Sequence, residues 1–398
     1  MKAELAIKNA NIVTSQSTYP GVIYIDNGEI VAITKELTTR PQRIIDAQGL
    51  YLLPGPIDGH VHMMDPGFTE REDFITGTMA AARGGITMVI DHHRNDPPTL
   101  SAATLREKKG YLKGRSVIDF GLLGGVQPDN IPNLRGMWEE GALGFKAFTC
   151  ELHGCAPMLA GDLQKMFNEI KGFNGVALIH AEDDSLTRTS YQRLRGSGRR
   201  DPLLLTEWRS PEAEVQAVNM VVYLATLLGV RVIIAHVSQP EVAEAIYNAR
   251  RKGTPIFAET CSQYLTLSKR DLEEKGVFCK FTPPPRDPHV PPRMWDCLSQ
   301  DLFNIISSDH CPYPKELKGK GDIWEAPFGI PGVETSLRLI LNGVSQGKIS
   351  INQVAAYMSE NPARLYGLYP KKGAIQIGSD ADFVLVDMNR VEGLEDES

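Results

Sequence analysis

The apolar and polar positions of this chain change rhythm twice. Through residue 50 the apolar residues fall in short β-rich runs at 5–12, 22–25 and 30–33, with Asp26-Asn27-Gly28 as a hairpin signal. From residue 52 the pattern becomes short apolar runs alternating with longer stretches of helical period. Eight runs read as strands: 56–58, 86–91, 117–123, 143–148, 176–180, 232–236, 255–259 and 303–308. Between them, 74–83, 163–170, 212–228 and 239–251 carry apolar residues at the 3.6-residue period. Strand and helix alternating eight times predict a parallel (β/α)8 barrel, an α/β fold. After a helix over 351–358 the strand rhythm returns at 374–377 and 382–387. Strands at both ends predict a small β-sandwich-like domain built from both termini, residues 1–52 with 368–398, flanking a barrel over 53–367.

Composition narrows the function classes. With 398 residues, 42% apolar and 23% charged, the chain has a large core and is neither disordered nor fibrous. A formal charge of −7 argues against a nucleic-acid partner, which wants a basic face. The longest largely apolar run, 220–230, is too short to cross a bilayer, so no membrane span is expected. The start, Met1-Lys2-Ala3-Glu4, lacks the pattern of a signal peptide. Six cysteines without a Cys-x-x-Cys pair argue against a disulfide framework, and a cytoplasmic setting is expected. Cys150, His153 and Cys155 crowd together, but too tightly for the usual structural zinc spacings. Two segments are expected to form active-site loops: the proline-rich 283–292, ordered, and the lysine- and glycine-containing 314–321, mobile.

The candidate chemistry lies at strand ends. Strand one ends in Asp58-Gly59-His60-Val61-His62, where alternation lets both imidazoles face one metal. Standing alone, the pair would read as two solvated loop histidines. His180 closes strand five, His236 closes strand six and Asp309 follows strand eight. Lys146 sits within an apolar strand, where an unpaired lysine is costly. It can be a snorkelling side chain, or a desolvated neutral amine able to add carbon dioxide and become an anionic carbamate. Barrels carry their catalytic residues at the carboxyl ends of strands, so these six groups read as a metal centre.

The motifs Gly55-Pro56-Ile57-Asp58-Gly59-His60-Val61-His62, Gly144-Phe145-Lys146-Ala147-Phe148, His180-Ala181-Glu182, His236-Val237-Ser238 and Ser308-Asp309-His310 resemble the amidohydrolase superfamily. The likeness is to its cyclic-amide branch of allantoinases, hydantoinases and dihydroorotases, and it runs from about residue 5 to about residue 390. The resemblance implies two divalent ions, of the zinc type, bridged by carboxylated Lys146 and a hydroxide. His60 and His62 would hold one ion, His180 and His236 the other. Asp309 would bind metal and act as general base, and His310 would orient it from behind. It further implies a small cyclic-amide substrate and a homo-oligomer, dimer or tetramer. A catalytically inactive structural relative would show gaps in the ligand set, and none appears. Hydrolysis of an exocyclic amide stays open, because its metal site would be much the same.

Specificity is less settled. Dihydroorotases follow the two histidines with Leu-Arg, whose arginine holds the substrate carboxylate; here Met63-Met64 stands in that place. The chain also ends sooner after Gly378-Ser379-Asp380-Ala381-Asp382-Phe383 than family members do, in an acidic tail that puts the completeness of the terminal domain in doubt. Other segments resemble allantoinases and hydantoinases, so neutral rings such as allantoin or a hydantoin are expected ahead of dihydroorotate. Met64, Arg94 and Gly332 are the candidate substrate contacts, and Arg94 is the residue that could supply a missing cation. His92-His93-Arg94 reads equally as a solvated turn or as polar contacts to the ring. Glu151, His153 and Cys155 are expected to shape the pocket.

Overall fold

A computed structural model describes residues 3–393; Met1, Lys2 and the acidic end 394–398 lie outside them. Five strands come first: β1 Leu5–Val13, β2 Thr18–Asp26, β3 Glu29–Thr34, β4 Arg43–Asp46 and β5 Tyr51–Pro54. The β2–β3 hairpin turns on Asn27 (φ +50°) and Gly28 (φ +74°), the left-handed pair that a tight hairpin requires. The last two of these strands carry too little alternation to stand out in the sequence.

The barrel follows as β6 Ile57–Val61, β7 Met88–Asp91, β8 Asp119–Gly125, β9 Gly144–Phe148, β10 Val176–His180, β11 Arg231–Ile234, β12 Ile256–Cys261 and β13 Ile305–Ser307. Each strand pairs in parallel with the next. The two outer strands meet at their carboxyl ends, where the His62 N–H donates to the His310 carbonyl at 2.7 Å and the Ser308 N–H to Asp58 Oδ1 at 3.1 Å. All eight strands expected from the sequence are present. β9 and β10 are buried along their whole length, which explains their near-continuous apolar runs.

Helices wrap the outside and cap locally. Asp73 accepts from the Thr76 N–H to open the helix Phe74–Arg83, and Gly229 (φ +66°) closes Pro211–Leu228. The barrel interior is filled by Ile57, Ile90, Leu123, Leu178, Ile233 and Ile305, with Tyr366 packed against them. It is a packed core and not a pore. Finally β14 Phe383–Val386 returns to pair with β5, completing a separate six-stranded sheet in the order β14-β5-β1-β2-β3, with β4 on the first half of β1.

Three local expectations change. Residues 374–377 form no strand: Gly373 (φ +74°) and Gly378 (φ +90°) turn the chain on either side, and only the Ile375 side chain enters the terminal core. The helix expected over 351–358 is Ile351–Ala355, followed by a wider turn at Ala356–Glu360 and then Asn361–Leu365. Pro362 lacks the N–H an unbroken helix would use and crowds the preceding turn. The loop 314–321 is tied down by a helical turn, Lys315–Lys318. Lys318 is buried there and donates to the carbonyls of Lys280, Pro327 and Gly329, each at 2.7 Å. Among the described residues no helix is long and apolar enough to cross a membrane.

Candidate active site

Strand alternation delivers most of the site. On β9 the interior face carries Lys146, and on β10 the alternation that points Val176 and Leu178 inward also points His180 inward. β12 presents Glu259 in the same way. His236 breaks the rule. Ala235 before it already faces the interior, and His236 reaches the pocket with a left-handed backbone at φ +40°. Asp309 is likewise left-handed at φ +49°. Such non-glycine conformations cost on the order of 1–3 kcal/mol each and persist only where surrounding packing enforces them.

His60, His62, Lys146, His180, His236 and Asp309 line one pocket of about 30 Å³ at the carboxyl end of the barrel, together with Arg94. Asp309 Oδ1 lies 3.2 Å from His60 Nε2 and 3.4 Å from His62 Nε2. Lys146 Nζ stands 3.5 Å from His60 Nε2, and His180 Nδ1 lies 2.9 Å from His236 Nε2. Burial is nearly complete for the four histidines and the lysine.

Two buried carboxylates set which nitrogen each imidazole offers. Glu259 Oε1 sits 2.7 Å from His60 Nδ1, and also accepts from the His236 N–H at 3.2 Å. With that proton on Nδ1, the Nε2 lone pair of His60 faces Asp309 and Lys146. Glu182 Oε2 sits 2.7 Å from His180 Nε2, so the His180 lone pair at Nδ1 faces His236. Thr282 and Arg209 hold the same carboxylate oxygen at 2.8 and 3.3 Å. Such carboxylate–histidine pairs orient metal ligands.

The electrostatics suit cations. Burial holds all four imidazoles below their ordinary pKa, so they stand as neutral donors. Burial also lowers the Lys146 ammonium to about 8, against the pull of Asp309 and Glu259. Asp309 rises to about 7 because burial outweighs Lys146 and Arg94. Burial would raise Glu182 too, but the Arg209 guanidinium and His180 override it and hold the carboxyl down to about 2.

The donor set fits divalent ions. His60, His236 and Asp309 bring ligand atoms within 4.8 Å of one another, and so do His60, His62 and His92. Buried nitrogens are left without partners, among them Nδ1 of His62 and His236 and both ring nitrogens of His92. An unpaired buried nitrogen costs energy that a ligand recovers. A charged Lys146 ammonium would oppose two cations at this spot, whereas a carbamate would draw them.

Other expected residues fall elsewhere. Met64 is buried, and Gly332 spends its N–H on His310 Nδ1 at 3.0 Å; neither lines the pocket, where Phe328 and Gly329 stand instead. His310 does not touch the Asp309 carboxylate. Its Nε2 meets Glu72 Oε2 at 2.7 Å, and its backbone carbonyl holds the His62 N–H. His92 and His93 are buried, which removes the solvated-turn reading. His153 lines the pocket with Leu152. Glu151 borders an adjoining cavity of about 320 Å³, and Cys155 Sγ lies 3.8 Å from His93 Nε2. Cys150 Sγ accepts from Arg209 at 3.1 Å, and all six cysteines are free and buried.

Sequence reasoning missed Glu259, Glu182 as a partner of His180, and the place of His92 beside His60 and His62. The signal for Glu259 was present: a carboxylate closing an otherwise apolar strand. The two glutamates' partners lie 199 and two residues away, and only the fold pairs the distant one.

A model described as the amidohydrolase family matches residues 51–396. An allantoinase of Deinococcus radiodurans is 33% identical over 391 residues, covering 97% of this chain and 87% of that protein. A dihydroorotase of Methanosarcina mazei is 34% identical over 398 residues, covering 98% and 86%. Among solved structures, the L-hydantoinase (dihydropyrimidinase) from Arthrobacter aurescens superposes with a TM-score of 0.93 at 34% identity, covering 96% of this chain and 86% of that one.

Proposed function

The chain belongs to the amidohydrolase family, and from that premise we propose that it is a metal-dependent hydrolase opening the ring amide of a cyclic ureide or imide. The relatives named allantoinase, dihydroorotase and hydantoinase all act on such rings. The observation that carries the reading is the convergence of His60, His62, Lys146, His180, His236 and Asp309 in one pocket. His60 and His62 would hold one divalent ion and His180 and His236 the other, zinc being the natural choice for imidazole and carboxylate donors. Bound there, the ions would supply a water acidified toward neutrality and a Lewis acid for the ring carbonyl.

The protein's own residues then have distinct tasks. Lys146, with its proton affinity already lowered by burial, would add carbon dioxide at Nζ, forming an N–C bond and giving up a proton to solvent, and the carbamate would join the residues that hold the ions. Glu259 and Glu182 keep the proton on the outward nitrogen of His60 and His180. Asp309 takes a proton from the attacking water at Oδ1 and returns it to the ring nitrogen as the C–N bond breaks. The products are a carboxylate and a freed urea or amide nitrogen; the second proton of the water passes to solvent as the new acid ionises, so protons and charge balance. Leu152, Phe281 and Phe328 exclude bulk water from the pocket wall.

The test is a substrate panel of allantoin, hydantoins, dihydrouracil and dihydroorotate, assayed with added zinc or manganese. Turnover of at least one ring is expected. A protein that carries its ions yet leaves every ring intact would contradict the reading.

A further inference from the structure

At the pocket floor the buried carboxylates Glu259 and Glu182 are engaged by histidines; the cations of the rim have no such answer. Arg94 follows β7 and lines the pocket beside His62, Asp309 and Cys311. Its Nη1 points at Cys311 Sγ, 3.7 Å away. Arg71 approaches the same sulfur from another loop, at 3.4 Å, with Nε on the Pro312 carbonyl at 3.1 Å. Its guanidinium lies flat on the Tyr313 ring, 3.5 Å from the centroid. Both arginines are half-buried, and among the described residues neither forms an ion pair with a carboxylate. The two fully buried arginines close by behave otherwise: Arg209 pairs with Glu182 and Arg286 with Glu214.

Two unpaired guanidiniums turned on one thiol, beside a centre built for two cations, make a locally positive rim. Withdrawing such charge from water is costly unless an anion answers it. A planar guanidinium matches a carboxylate in two parallel hydrogen bonds, and Tyr313 keeps Arg71 pre-oriented by stacking. The carboxylate created by ring opening forms at the attacked carbonyl, down among the histidines, whereas Arg94 enters from the loop side. A second carboxylate, carried by the ring itself, is what this rim fits.

We propose that Arg94, backed by Arg71, binds a carboxylate substituent of the substrate, so that the preferred substrate is a cyclic ureide bearing an anionic group. The inference rests on the ring-amide reading. It also reverses the expectation drawn from Met64: the cation missing after the two histidines is supplied from the loop after β7.

The experiment compares kcat/KM for matched rings with and without the acid: dihydroorotate against dihydrouracil, and hydantoin-5-acetate against hydantoin. The wild-type enzyme is expected to prefer the acid in each pair by at least ~10², the scale set by leaving a binding group unpaired. Arg94→Gln is expected to collapse that ratio at least tenfold, with Arg71→Gln collapsing it less. Metal content of each variant checks that the centre is intact. Neutral rings preferred by the wild type, or a ratio unmoved in Arg94→Gln, would overturn the proposal. If no ring is hydrolysed, calorimetric binding of uracil-6-carboxylate against uracil separates the two ideas. Binding of the acid that Arg94→Gln abolishes would retain the anion site while the ring-amide reading falls; equal affinity for both probes would remove the anion site as well.

Discussion

The floor and the rim of this pocket are built differently. Floor residues sit at strand ends and, Asp309 apart, are almost wholly buried; two of their imidazoles are locked by carboxylates, His60 by Glu259 and His180 by Glu182, and Glu182 is held in turn by Arg209 and Thr282. Rim residues come from loops. Arg94, Arg71, His153 and Phe328 keep part of their surface or their hydrogen-bonding capacity uncommitted. A rigid floor of buried ligand atoms suits one chemistry. A rim with unspent donors suits the choice of substrate, since loops can vary without disturbing the barrel.

The separation can be broken by substitution, and the largest effect belongs to the floor. Lys146→Ala is expected to abolish turnover of every ring alike and to regain part of it with added short carboxylic acids; retained turnover without rescue would detach Lys146 from the centre. Asp309→Asn keeps the shape but cannot accept a proton, so kcat is expected to fall by at least ~10² while substrate still binds. A steady-state comparison giving near-normal kcat would move the base elsewhere. Glu182→Gln and Glu259→Gln should leave the fold standing and weaken metal binding by about 10–100-fold, read by chelator competition. Unchanged metal affinity would reduce both glutamates to ordinary buried acids. At the rim, Phe328→Leu loses apolar contact of order 1 kcal/mol. It is expected to raise KM about fivefold with kcat nearly constant. A fall in kcat instead would tie the rim to the chemistry and blur the comparison.

The same division explains what could be read from the chain. The barrel was legible because eight buried parallel strands leave eight short apolar runs with helical stretches between them, and Val176–His180 emerged with its observed bounds. The six floor residues were legible because polar groups at strand ends stand out against apolar runs. β4 and β5 were not, being four residues each, with β4 exposed along its length. The rim was the least legible part. Whether Arg94 is a solvated loop residue or an unpaired cation at the pocket depends on the turn that buries His92 and His93 and on where Arg71 arrives from. Neither follows from local pattern. Met64 misled for the same reason: adjacency to His62 suggested a pocket residue, while φ +56° at Met64 accompanies a side chain buried away from it.

The central claim is that the floor holds two divalent ions through a carboxylated Lys146. It is met most directly by metal analysis of chelator-free protein, together with intact-protein mass under conditions that preserve carbamates. The account predicts about two ions per chain and a mass increment of one carbon dioxide lost with Lys146→Ala. A fully active protein without metal, or two bound ions beside an unmodified Lys146, would contradict it.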